Sequence, residues 1–279
     1  MPSIEFTKMQ GNGNDFIVID NREGPWSKAD LSRLAAGLCL RGQSVGADGL
    51  IAVEKSPDAD FTMRLFNSDG SEAEMCGNGA RCAARYACEK KIAPPGMVFS
   101  TLSGPVRAEV RGNSVTLELG TVDLQTVLKK QSFPFAKETI FFTHLVVGVP
   151  HTVVFPECVQ GKDRADLRRL AEALQADTKR FPSGTNVNFV TAVGERLEVQ
   201  TFERGVDDFT LSCGTGSAAS AIALWLEALA KPPVTVKNPG GTSIVAFPDD
   251  RNLQRLPVTL TGGAEFVYEG RVADPGPSV

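Results

Sequence analysis

Histidine, tyrosine and tryptophan are scarce in this chain of 279 residues, with two of each. It also lacks a surplus of positive charge and any long apolar run. Each scarcity removes a class of function. With 29 Lys and Arg against 33 Asp and Glu, for a formal net charge of −4, the chain cannot neutralise a phosphate backbone, so nucleic acid is not an expected partner. The most apolar stretch, Ala218 to Ala230, is too short and too rich in small residues to cross a bilayer, which takes about 20 residues. No membrane association is expected. The opening MPSIEFTKMQ has no basic segment followed by an apolar one, so no secretory signal is expected and a cytoplasmic location is. The histidines, His144 and His151, and the cysteines at 39, 76, 82, 88, 158 and 213 form no C-x-x-C pair and no zinc-finger spacing, which argues against a metal. No G-x-G-x-x-G follows a strand, and no lysine stands out for a pyridoxal Schiff base. No cofactor is implied.

What is present is ordinary in bulk: 42% hydrophobic and 22% charged residues, as in globular proteins that fold in water. The length favours two domains. β-Branched and aromatic residues between turn formers predict strands at Ile4–Met9, Phe16–Asp20, Leu50–Glu54, Phe61–Phe66 and Val115–Leu119. Further strands are expected at Thr139–Val147, Thr152–Phe155, Asn186–Val190, Leu197–Phe202, Val234–Val236, Val258–Thr261 and Glu265–Tyr268. Ala29–Leu40 and Arg164–Ala176 read as amphipathic helices, the second with Asp163 as N-cap. Pro-Pro pairs at 94–95 and 232–233 mark breaks after helices.

The most informative feature is an internal echo. Residues 66–89 read FNSDGSEAEMCGNGARCAARYACE and residues 202–227 read FERGVDDFTLSCGTGSAASAIALWLE. Each passes from the end of a strand through a polar loop to C-G-x-G, ten residues after Phe66 and eleven after Phe202. Each continues as a helix of small and apolar residues. A helix apolar on nearly every face belongs inside something, and the surrounding strands supply the wrapping. The expectation is an α/β (α+β) chain of two pseudo-symmetric domains, each a curved mixed or antiparallel sheet around a central buried helix. One domain covers 1–119 plus 264–279 and carries Cys76; the other covers 120–263 and carries Cys213.

A C-G-x-G helix start has chemical meaning. The first turn leaves N–H groups unpaired and carries partial positive charge, glycine admits close approach, and such a terminus holds a carboxylate. A cysteine there has its thiolate stabilised. Once, the motif means little; twice, in matching places, it suggests a pair of thiols. Inverting a stereocentre by proton transfer needs a base on one face and an acid on the other, with roles that swap for the reverse reaction.

At these residues the sequence resembles the diaminopimelate epimerases. KMQGNGNDFIVID at 8–20, VGADGL at 45–50, FNSDGSEAEMCGNGARC at 66–82, TNVNFV at 185–190, ERGVDDFTLSCGTG at 203–216 and VYEG at 267–270 follow that family's order. The resemblance implies a cofactor-independent epimerase converting LL- to meso-diaminopimelate, a precursor of lysine and peptidoglycan. It makes Cys76 and Cys213 the catalytic acid–base pair. It assigns Gly77, Asn78, Gly214 and Thr215 to the reacting carboxylate, and Asn14, Gly49, Asn67, Asn186 and Arg204 to substrate binding. Glu203 and His151 become the groups that tune the thiols and grip the reacting end, and Tyr268 a contact in a homodimer.

Taken alone, each residue has a plainer reading. Asn14 and Asn67 suit turns, Glu203 beside Arg204 could be a surface ion pair worth under about 1 kcal/mol, and a lone histidine is more often structural than catalytic. One position departs from the family pattern: Val149 stands where Asn is usual and cannot make that residue's side-chain bond. The departure bears on substrate identity. A racemase of another amino acid, such as histidine, is therefore the nearest alternative, and a thiol redox switch in a binding protein the non-enzymatic one. Which cysteine rests as thiolate is not legible in the residues.

Overall fold

The computed structural model describes residues 3–192 and 196–274. The chain divides into two compact units, Met1–Leu117 with Gly262–Val279, and Glu118–Thr261. The chain leaves the first unit within one strand and returns within another, so the first unit is built from both ends of the sequence.

In the first unit β1 (Ser3–Gly11) and β2 (Asn14–Asp20) form a hairpin, α1 (Lys28–Leu38) crosses over, and β3 (Gly49–Glu54) pairs parallel to β2. Antiparallel β4 (Phe61–Asn67) follows, then the short β5 (Glu72–Ala73), then α2 (Gly77–Glu89). β6 (Gly96–Thr101) returns parallel to β4 and continues antiparallel into β7 (Gly104–Arg111) and β8 (Ser114–Asp123).

β8 carries the chain into the second unit, where β9 (Leu128–Phe135), β10 (Glu138–Val147) and β11 (Val149–Val154) follow, all antiparallel. The short α3 (Pro156–Val159) and α4 (Arg164–Gln175) cross over to β12 (Asn186–Ala192), which is parallel to β11. β13 (Arg196–Glu203) and β14 (Asp208–Thr210) follow antiparallel, then α5 (Gly214–Leu226). β15 (Val234–Asn238) returns parallel to β13, pairs with β16 (Gly241–Ala246), and β17 (Arg255–Gly263) follows. β18 (Glu265–Ala273) then pairs antiparallel with β1.

The two itineraries are the same. A hairpin, a crossover helix, a parallel strand, an antiparallel pair, a short strand, a buried helix and a second parallel return occur in that order in both units. The echo in sequence is thus an echo in topology.

Both central helices owe their position to small side chains. In α5 every residue from Gly216 to Trp225 is buried, and the helix packs against β10, β11, β12, β13, β15 and β16. Residues Asn78 to Ala84, Tyr86 and Ala87 of α2 are buried against β1, β2, β3, β4 and β7. Alanines let strands approach a helix on several sides, and the burial of this apolar surface, at about 25 cal/mol per Å², is what holds each unit together. The outer helices are of the ordinary kind. α1 and α4 each present four buried apolar residues and begin with a full capping box, from Ser27 and Asp30 and from Asp163 and Asp166. Among the described residues no helix is long and apolar enough to cross a membrane.

Several strands escaped the sequence pattern: β5, β6, β7, β9, β14 and β16. β9 has no fully buried residue, and only Phe133 and Phe135 near its end pack against the core. β5 and β14 are two and three residues long. β7 alternates in full, burying Val106, Ala108 and Val110 between exposed charged residues, so its period was present in the sequence.

Candidate active site

In each unit the polar loop after the strand pair delivers a cysteine to the N-cap of the buried helix. Cys76 caps α2 in an extended conformation (φ −139°, ψ 122°), and Cys213 caps α5 in another (φ −117°, ψ 111°). Four other cysteines lie elsewhere, and burial pushes the thiols of Cys39 and Cys82 up to about 12 and that of Cys158 upward. Such thiols stay protonated and act as small apolar fillers.

Around Cys76 the partners come from the first hairpin. Its Sγ donates to Oδ1 of Asn14 at 3.5 Å, and Nδ2 of Asn78 reaches the same oxygen at 3.4 Å. Asn14 cannot turn over, because its Nδ2 donates to the Asp48 carboxylate at 2.6 Å. Asp48 also accepts from the Asp15 amide (3.1 Å) and from Arg41 (2.8 Å), and Lys8 pairs with Asp15 at 2.7 Å. Burial alone would raise the Asp15 carboxyl, but hydrogen bonds from Arg41 and Lys8 outweigh it and hold it at about 2. On the far side of Asn78, Oδ1 accepts from the wholly buried Arg81 at 2.8 Å, and Arg81 also donates to the Gly263 carbonyl at 3.1 Å.

Gly49 and Asn67 face each other in the β3–β4 ladder, with Gly49 also the register partner of Phe16 beside Asn14. A Cβ on Gly49 would sit 2.7 Å from the Phe66 carbonyl, so the strands require glycine there. Asn67 is exposed and donates to Ser71 Oγ at 2.9 Å. Nothing lies within 4 Å of where a Cβ on Gly77 would be, so the first turn of α2 is open beside its amide. Tyr268 stands apart on β18, exposed, with its ring edge-on to Phe6 at 5.8 Å.

Around Cys213 the partners come from the first turn of α5 and from the end of β13. Gly216 N–H donates to Sγ at 3.3 Å, and Thr215 Oγ1 lies 3.5 Å away. Glu203 accepts from Thr210 Oγ1 at 2.6 Å and from the Cys213 thiol; burial nonetheless raises its carboxyl above the ordinary value. The two thiols therefore meet different acceptors. Cys213 faces a carboxylate that can take a proton, and Cys76 an amide oxygen that cannot.

His151 on β11 is the register partner of Asn186 on β12, and both are buried. Asn186 Oδ1 accepts from the Arg204 amide at 2.9 Å, and the Arg204 guanidinium donates to the Ser183 carbonyl. Complete burial, with smaller contributions from His144 and Arg204, lowers His151 to about 3, so its imidazole is neutral near pH 7. Gly214, at the start of α5, is half-buried against Leu260, and Val149 is half-buried at the head of β11. Asp48, Arg81, Asn188, Thr201 and Thr210 were not singled out from sequence. Asn188 alone had a signal, since it shares a strand face with Asn186 at a spacing of two. Among the described residues no three His, Cys, Asp or Glu side chains gather as metal ligands would.

The architecture is that of a known class. A phenazine biosynthesis protein of the PhzF family from Bacillus anthracis superposes with a TM-score of 0.71 at 17% identity, over 98% of this chain and 100% of that one. A probable proline racemase from Agrobacterium radiobacter gives a TM-score of 0.67 at 16% identity, over 97% and 93%. These likenesses define the fold. At the level of sequence, the profile described as diaminopimelate epimerase matches residues 6–125 and 143–267. Diaminopimelate epimerases of Methanocella arvoryzae and Aquifex aeolicus are each 39% identical to this chain, the first over 98% of both chains and the second over 97% of this one and 98% of its own. The chain belongs to the diaminopimelate epimerase family.

Proposed function

We propose that the protein interconverts LL- and meso-diaminopimelate by moving the α-proton between two cysteine sulfurs, without a cofactor. One observation carries this reading: in a chain that matches diaminopimelate epimerases along nearly its whole length, C-G-x-G occurs twice, and each time its cysteine caps the buried helix of a topologically repeated unit. Helix first turns stabilise negative charge, so both the thiolate and the reacting carboxylate are served there.

In the forward reaction one thiolate removes the α-proton and the opposite thiol returns one to the other face of the carbon. The charge that develops on the carboxylate is met by first-turn N–H groups, those of Gly77 and Asn78 and of Gly214 and Thr215. Glu203 takes up the Cys213 proton when that sulfur must act as base. Asn14 holds the Cys76 thiol in its donor role. Asn67, Asn186, Arg204 and the open backbone at Gly49 hold the rest of the substrate, with Arg204 at the distal carboxylate. The working form is a cytoplasmic homodimer using the Tyr268 surface.

The test is a coupled assay of metal-free, cofactor-free protein on LL-diaminopimelate, with α-deuterium incorporation followed in D₂O. Turnover with exchange is expected from the wild type and neither from Cys76→Ala or Cys213→Ala. Full activity in either variant rules out the paired thiols. Val149 favours a second reading, a racemase of an amino acid with one carboxylate. Faster turnover of such a substrate than of diaminopimelate would establish it.

A further inference from the structure

Beneath Cys213 lies a buried polar cluster to which the proposed mechanism gives no role. Its centre is Asn188 on β12, fully buried. Nδ2 of Asn188 donates to the Thr152 carbonyl at 3.3 Å, and Thr201 Oγ1 donates to its Oδ1 at 2.9 Å. A backbone carbonyl can only accept, so the amide has one permitted orientation. The same Nδ2 lies 3.2 Å from Nδ1 of His151. Nδ1 must therefore present a lone pair, and a neutral imidazole then carries its proton on Nε2. That nitrogen is buried and has no hydrogen-bond partner among the described residues.

The same accounting gives His144 the opposite form. Thr185 Oγ1 donates to the Asn186 carbonyl (3.1 Å), so it accepts from Thr152 Oγ1 (3.0 Å), which must then accept from His144 Nδ1–H (3.1 Å). The helix start is fitted to the cluster as well. A Cβ on Gly216 would lie 2.4 Å from Asn188 Oδ1 and 2.9 Å from Thr201 Oγ1.

We infer that Asn188 is a positioning residue, which holds His151 as the tautomer protonated on Nε2 and so makes that nitrogen a hydrogen-bond donor to the reacting end of the substrate. The donor role rests on the epimerase reading; the tautomer does not. An imidazole in the other form would offer a lone pair to a carboxylate and repel it, so the amide of Asn188 determines whether His151 assists or obstructs.

The experiment is nitrogen-resolved NMR of the full-length protein labelled at histidine, with His144→Gln used to assign the two rings. In the wild type His151 is expected to show a protonated Nε2 and a bare Nδ1, and His144 the reverse. In Asn188→Asp the carboxylate can only accept, so the proton moves to Nδ1. A loss in kcat on the order of a hundredfold, with a much smaller change in KM, accompanies the move. A wild-type spectrum with His151 protonated on Nδ1 overturns the inference and needs no variant to fold. So does a folded Asn188→Asp protein that keeps a bare Nδ1 or full kcat. The spectrum is read without substrate: the expected tautomer in a protein inactive on diaminopimelate would sink the epimerase reading alone, and the wrong tautomer in an active one would sink this inference alone.

Discussion

The thiol protons of Cys76 and Cys213 meet an amide oxygen and a carboxylate respectively, and that difference governs what single substitutions should do. Cys76→Ala and Cys213→Ala each remove one partner of a two-sided proton transfer and are expected to lower epimerisation by about 10³-fold or more, with little change in melting temperature. Glu203→Gln keeps the size of the side chain and its bond to Thr210 but cannot accept a proton. A fall in kcat of about ten- to a hundredfold with KM nearly unchanged is expected, whereas a change confined to KM would make Glu203 a binding residue only. Val149→Asn restores a donor or acceptor at the head of β11. A hydrogen bond to a charged group is worth about 1.5–3 kcal/mol, so KM for diaminopimelate is expected to drop in steady-state assays if the distal end lies there.

At the scale of elements, the first and second glycines of C-G-x-G differ in what backs them. Gly216→Ala drives a Cβ into Asn188 and Thr201, both buried and hydrogen-bonded, and is expected to cost about 1–3 kcal/mol in denaturant unfolding. Gly77→Ala meets nothing within 4 Å and should leave stability unchanged or raise it by about 0.5–1 kcal/mol, the helix propensity of alanine over glycine. The buried helices were legible because Ala and Gly crowd every face of α5 and most of α2. The amphipathic α1 and α4 were legible from their spacing, to within two residues at each end. Some hidden strands were hidden for a physical reason: β5 and β14, two and three residues long, are too short for a period to show. In the site, the motif residues could be read one by one, but their supports could not. That Asp48 holds Asn14, or Asn188 holds His151, depends on parallel strand pairing that brings together residues 34 and 37 positions apart.

For the molecule as a whole, acid should act early. The folded-state value of His151 is about 3, against an ordinary 6.5, so between those limits the unfolded chain binds a proton that the folded chain does not. Stability therefore falls as pH drops through this window, by at most about 1.4 kcal/mol per pH unit for one proton. Asp15 adds to the trend lower down: its carboxyl is held at about 2 rather than 3.8, a contribution complete above the ordinary value and lost as pH falls toward 2. Urea midpoints measured from pH 4 to 7 are expected to rise with pH, and in His151→Gln the rise should flatten. An unchanged slope in that variant would assign the proton to another group.

The pairing of β18 with β1 has a bearing on biogenesis. Ser3 lies opposite Ala273, so a ribosome must synthesise the last strand before the first can be covered on that edge. During translation the middle of the chain can reach its native contacts while the opening hairpin waits, an exposed ladder that a chaperone or a neighbouring nascent chain could meet. The half that is begun first is the half finished last.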